Sequence, residues 1–239
     1  MCVSNIQERR HYKTMIRAAS LALIVFLLQA ASCDKEEEKE FVEVWPRMPV
    51  NISPPGETIG LGDTLWVNID LPDTVEDYLT KKYYKVKDYD FFTSLMLLRL
   101  IGPTVDRGDQ PAAASSFTFH ARVGQVYDIS SLSGKLKFDY SNSKYRAHVG
   151  LVAKQKGVFS LIMLYRGSDI ENRTSNINIL DSTPGGKERL YWVQHICYIL
   201  NNGDFHFDLY QANCLVDPEI RTADPYFDEM FNTYTFEVK

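Results

Sequence analysis

Cysteine is scarce, with four residues in 239, so no disulfide framework holds this chain and its core must come from apolar burial. The nucleophile elbow, the zinc-protease pattern, the phosphate loop, the dinucleotide fingerprint and the Cys/His zinc spacings are all missing. Without them the sequence nominates no catalytic residue, no metal ligand set and no cofactor. A glycosidase-type hydrolase stays open, because it needs only two carboxylates at a suitable separation. Positive charge is in deficit, with 26 Lys and Arg against 31 Asp and Glu and a net charge of −5. Binding to a phosphate backbone runs on Lys and Arg, so nucleic acid is set aside as a partner. No apolar run reaches the roughly 20 residues that cross a bilayer as a helix, and a sustained helical period is absent beyond residue 32.

What is present begins with a basic start (Arg9, Arg10, Lys13, Arg17), an apolar core from Ala18 to Leu28 and the small residues Ala30-Ala31-Ser32. This is the layout of a removable export signal over residues 1–32. Its removal takes four basic residues and one acidic one, leaving 22 basic against 30 acidic and a net charge of −8. Ala30-Ala31-Ser32-Cys33 resembles the lipobox of bacterial lipoproteins, with Ala30 where an aliphatic residue is usual. The resemblance implies that Cys33 becomes the mature N-terminus and carries several acyl chains, palmitate-like, that hold the protein stably in a membrane. Ordinary signal peptidase would also accept Ala-x-Ser and leave a soluble chain with a free Cys33.

Lys35-Glu36-Glu37, inside "DKEEEKE", resembles the surface-export signal of Bacteroidota lipoproteins. It implies a lipid-anchored protein on the outer face of the outer membrane. The same acids make residues 33–46 a solvated tether kept extended by like charges. At up to about 3.5 Å per residue, such a tether could hold the folded part some 45 Å from the membrane.

Residues 47–239 read as one β-sandwich, all-β and mainly antiparallel. In "FTFHARV" Phe117, Phe119, Ala121 and Val123 alternate with Thr118, His120 and Arg122, and in "KLKFDY" Leu136, Phe138 and Tyr140 alternate with Lys137 and Asp139. Period two with one polar face describes half-buried antiparallel strands. "TLWVNID", "YRAHVGLVA", "FHFDLY" and "YTFEV" follow the same rule, while "FFTSLMLLRLI" and "VFSLIMLY" are more continuously apolar, as expected of central strands. "IGLGDTLWVNIDLPDTV" and "YTFEVK" look like segments of Bacteroidota β-rich lipoproteins without an assigned role. Residues 102–116 have the least strand character and mark a fallback domain boundary. Asn202-Gly203 is the favoured pair for a type I′ turn, predicting a hairpin over "RLYWVQHICYILNNGDFHFDLYQ". In that register Cys197 and Cys214 lie too far apart to pair, so free thiols are expected. Asp224-Pro225 is a good cap and first-turn pair for one short C-terminal helix.

His120, His148, His195 and His206 all sit in strand-like runs, where a satisfied or solvent-facing ring is expected before a metal ligand. Asp73-Thr74-Val75 and Asp181-Ser182-Thr183 fit the O-glycosylation pattern of Bacteroidota, with Thr74 and Ser182 as candidate acceptors in turns. Trp66 and Trp192 each face away from their apolar neighbours, and if those neighbours form the core, both are candidates to contact a ligand. Two functions remain. One is a non-catalytic surface sandwich that binds an extracellular glycan or an envelope protein. The other is a lipoprotein hydrolase acting on polysaccharide or peptide through a pair drawn from Asp88, Asp90, Asp204, Asp208 and Asp228. The anchor is tested by intact mass of the protein from detergent-extracted membranes of its native host, with protease shaving of whole cells. An acylated chain that begins at Cys33 and disappears on shaving is expected; an unmodified periplasmic chain would contradict it.

Overall fold

Alternation of apolar and polar residues sets the architecture, strand by strand. The structure, a computed structural model, describes residues 40–86, 89–165, 189–193, 195–204, 206–215 and 232–239. The longest pairing joins β4 (Thr64–Pro72) to β12 (Lys144–Ala153) in antiparallel register from Thr64–Val152 to Pro72–Lys144. Leu65, Val67, Ile69 and Leu71 of β4 are buried, as are Tyr145, Ala147, Val149, Leu151 and Ala153 of β12. One face of this pair is therefore core and the other faces outward, as the period of two requires.

Around this pair lies one sheet in the order β11 (Asp139–Ser141), β12, β4, β2 (Arg47–Ser53), β15 (Cys197–Leu200), with β8 (Phe117–Val123) also paired to β12. The facing sheet has the order β3 (Thr58–Ile59), β16 (Thr233–Val238), β13 (Gly157–Leu164), β7 (Phe92–Leu100), β10 (Ser133–Lys137), β9 (Gln125–Tyr127). Small ribbons pair β1 (Glu40–Val44) with β14 (Arg189–Val193) and β5 (Thr74–Glu76) with β6 (Tyr83–Lys85). The pairings of the two large sheets and of β5 with β6 are antiparallel, except β15 on β2 and β16 on β3, which are parallel. A single apolar cluster draws on the inner faces of both sheets, with Phe159, Leu161, Tyr234 and Phe236 opposing Val50, Leu65, Val149 and Leu151. The expected all-β sandwich is what the chain forms.

Two local expectations are corrected. "KLKFDY" is not one strand: it breaks at the buried Phe138, so that β10 belongs to one sheet and β11 to the other. The alternation is genuine because both pieces bury the same parity, but it cannot report that the chain changes sheets. Residues 102–116 likewise carry the chain between sheets, from β7 to β8, and bind back to β7 through Arg99 N to Pro111 O at 2.9 Å and Ala113 N to Leu97 O at 2.8 Å. Phe41–Lys239 form one compact unit.

The hairpin is the second. Asn202 and Gly203 do adopt positive φ, 59° and 98°, but Asn201 does too at 42°, and the chain then enters helix α1 (Phe207–Asn213) instead of a returning strand. Phe207, Tyr210 and Cys214 stand at i, i+3 and i+7, a helical face. They pack with Met96, Leu98, Leu100, Val158, Ile162 and Leu164 on the outer side of β7 and β13. Those two strands carry apolar residues on both faces because the sandwich covers one face and α1 the other. His206, before the helix, holds its ring between two backbone carbonyls, with Nδ1 2.7 Å from Thr235 O and Nε2 3.1 Å from Pro55 O.

Cys197 and Cys214 are free, as expected, but the reason differs: Cys197 lies on β15 of one sheet and Cys214 follows α1 on the far side of the other. Burial pushes the Cys197 thiol up to about 12, so it stays protonated and unreactive near neutral pH. The candidate helix at Asp224-Pro225 falls outside the described residues. Tyr210→Ala should lower unfolding free energy by about 3 kcal/mol through loss of the packing under α1, while Asp208→Ala on the exposed side should change it by about 0.5 kcal/mol or less. Chemical denaturation of the two variants checks this; equal effects would contradict the helical cover.

Candidate functional site

The outward residues of the β8-β12-β4-β2 sheet line up in rows across the strands. One row is His120, Gly150, Trp66 and Ser53; the next is His148, Asn68 and Asn51. Each residue is there by parity, because its neighbours in sequence fill the core. For Trp66 the structure decides which face of β4 is core: Leu65 and Val67 are fully buried, and the Trp66 side chain is half-buried on the outer face.

Trp66 is seated rather than free-standing. A Cβ at Gly150 would lie 2.9 Å from Trp66 Cζ3 and 2.7 Å from Thr64 Cγ2, so only glycine leaves room for the ring to cross the neighbouring strand. The His148 ring meets its edge at 4.6 Å between centroids, nearly T-shaped. Over the ring lies the Arg122 guanidinium, 3.9 Å from the centroid, a cation–π contact. Arg122 reaches this place through an irregularity of β8: Val123 pairs with His148 and Ala121 with Val149, leaving Arg122 as the extra residue of a β-bulge. Bulges commonly re-aim a side chain in this way. No carboxylate pairs with Arg122 among the described residues.

At the other end of the rows an open depression of about 490 Å³ is lined by Asn51, Ser53, Pro55, Asn68, Asn202 and Asp204, among others. Its wall is fixed by Asn201, whose Oδ1 accepts from Ile52 N at 2.6 Å and whose Nδ2 donates to Ile52 O at 3.2 Å. The side-chain amide thus mimics a paired strand and pins the turn at 201–203 to β2. Asn51, Asn68 and Asn202 have no hydrogen-bond partner for their amides among the described residues. The whole is a flat, polar, partly aromatic surface with unused donors and acceptors, suited to hold a hydroxyl-rich ligand.

The remaining sequence candidates scatter. Trp192 is half-buried on β14, in a different sheet from Trp66, so the two tryptophans form no common platform. Thr74 is exposed, but it opens the short strand β5 instead of lying in a turn. His120 and His148 do lie on strands, whereas His195 and His206 sit in connections. Of the carboxylates, Asp90 is exposed and paired to Lys137 at 2.8 Å, and Asp204 and Asp208 are exposed. A buried acid that sequence reasoning missed, Asp77, accepts from Trp45 N at 2.7 Å, Thr80 N at 2.7 Å and Thr80 Oγ1 at 2.6 Å, which makes it a brace for the turn at 77–82. Cys33, Lys35, Glu36, Glu37, Asp88, Ser182 and Asp228 fall outside the described residues. Arg122, Gly150, Asn51 and Asn68 were not foreseen as site residues; their only signal was outward parity.

No protein-family model matches the chain, and no curated protein sequence matches it. Among solved structures it is similar to the human F-spondin reeler domain in two fragments. The first has 11% identity over 69% of this chain and 94% of that one, with a TM-score of 0.29; the second has 12% identity over 66% and 97%, again at 0.29. A type II cohesin dyad from the adaptor ScaA scaffoldin of Acetivibrio cellulolyticus is similar at 11% identity over 62% of this chain and 46% of that one, with a TM-score of 0.25. Likenesses of this size carry no inference about ligand or partner.

If Gly150 seats Trp66, Gly150→Ala should displace the ring, cost about 1–3 kcal/mol of stability and alter the near-ultraviolet circular dichroism. Trp66→Phe identifies the part of the spectrum that belongs to this ring. An unchanged spectrum and stability in Gly150→Ala would contradict the seating.

Proposed function

We propose that this is a non-catalytic, lipid-anchored protein of the bacterial outer membrane whose sandwich binds an extracellular glycan on the outer face of the β8-β12-β4-β2 sheet. The observation that carries the reading is the outward row of Asn51, Asn68 and His148, whose side-chain amides and imidazole are open to a ligand beside the seated Trp66 while the chain's own core is closed behind them. Sugars present hydroxyls along a ring edge and C–H groups on a face. Side-chain amides match the first. Because the site is built on strands, its groups hold their spacing without a ligand, which lowers the ordering cost of binding. The acidic tether from Cys33 would hold this face clear of the membrane, and Lys35-Glu36-Glu37 would direct it to the outside of the cell.

The hydrolase alternative needs two carboxylates facing one another across a cleft. The described candidates Asp90, Asp204 and Asp208 face solvent, which favours binding over catalysis. Display of the full chain in detergent on a broad glycan array tests the reading. Binding is expected, weakened about tenfold or more when Asn68 and Trp66 are both replaced by alanine. An empty array combined with capture of an envelope protein by cross-linking on whole cells would replace the glycan with a protein partner.

A further inference from the structure

The two ends of the outward row differ in charge. At one end Arg122 presents a guanidinium whose central carbon lies 3.9 Å over the Trp66 ring, with no carboxylate partner for its N–H donors among the described residues. At the other end stands Asp204, exposed at the rim of the depression. Among the described residues, Asn68, Asn51 and His148 lie between them. Three steps between strands at about 4.8 Å separate the β8 end from the β2 end by roughly 14 Å. The nearby acids are already engaged or turned elsewhere: Asp70 pairs with Lys144 at 2.9 Å, and Asp139 accepts from Ser141 Oγ at 2.9 Å.

We propose that this row binds an acidic oligosaccharide laid across the strands, with a sugar carboxylate on the edge of Arg122 and ring hydroxyls on Asn68 and Asn51; this rests on the glycan-binding reading above. Guanidinium and carboxylate match as a planar two-point pair. The contact with Trp66 holds the guanidinium in place in advance, and the bulge in β8 supplies the extra residue that carries it there. The aromatic face itself is covered by Arg122, so Trp66 serves the ligand by holding the cation, not by direct stacking.

The chain's negative charge sets a further condition. With −8 overall after signal removal, the protein repels a densely charged polymer at a distance. The fitting ligand is therefore sparsely acidic, with a carboxylate at one sugar and neutral sugars beyond it. Asp204 at the far end excludes a second carboxylate there and fixes the direction in which the oligosaccharide lies.

Titration of the full chain in detergent with uronic-acid oligosaccharides, each paired with its methyl ester, tests the assignment. The ester keeps every hydroxyl and loses only the charge. The acid is expected to bind about tenfold or more tightly than its ester. Arg122→Gln should bring the acid down to the ester, and Asn68→Ala should weaken both members of a pair alike. Arg122→Lys, which keeps the charge and loses the planar fork, should retain part of the preference, and thermal melts of each variant check that the bulge still folds. Equal binding of acid and ester, or a preference that survives Arg122→Gln in a folded variant, overturns the acidic assignment. If neutral glycans bind on the array while no acid or ester does, this inference alone falls; if no glycan of any kind binds, the glycan reading falls with it.

Discussion

The register of β4 against β12 is the constraint on which the rest of the molecule depends. From Thr64 opposite Val152 to Pro72 opposite Lys144, every second residue on each strand is committed to the core. Because side chains alternate with period two, a slip of one residue would turn Leu65, Val67, Ile69 and Leu71 to water and bury Trp66, Asn68 and Asp70. At roughly 25 cal/mol per Å² of apolar area, four exposed aliphatic side chains would cost more than a domain of this size has to spare. The same alternation that fixes the core therefore fixes the outer face, and the candidate site is a consequence of the core's register.

Two departures from regularity turn that outer face from a plain polar sheet into a site. Gly150 gives up a side chain so that the Trp66 ring can lie across its strand, and the bulge in β8 adds the extra residue that brings Arg122 over the ring. A glycine inside a strand and a bulge each weaken pairing locally. Both occur here beside the longest ladder of the fold, where the surrounding pairs hold them in place. The amide of Asn201 acts in the same spirit at the other end, replacing a backbone pairing with a side chain and holding the turn against β2.

On the opposite side of the molecule, β7 and β13 depend on α1. Phe207, Tyr210 and Cys214 close the outer face of these strands, and His206 ties the start of the helix to β16 and to the loop at Pro55. Here local sequence supported two answers. Phe205, Phe207 and Leu209 alternate as a strand would, while Phe207, Tyr210 and Cys214 repeat as a helix would. The uncovered apolar face of β7 and β13 decided between them, since burying it offsets the modest difference in local preference.

The sequence by itself determined the fold class, the strands with clean alternation and the placement of Trp66 on the face opposite Leu65 and Val67, because parity along a strand is a local property; it left open which of the two faces is core. It also determined the deficit of positive charge and carried the resemblance at Cys33 and Lys35-Glu36-Glu37 from which an address is inferred. Only the tertiary structure decided which strands are neighbours, and with them the row of His148, Asn68 and Asn51, the seat that Gly150 makes for Trp66 and the bulge that lifts Arg122. These groups lie far apart in the chain and meet only across hydrogen-bonded strands, and a period of two reports which face a residue takes but nothing about what lies beside it.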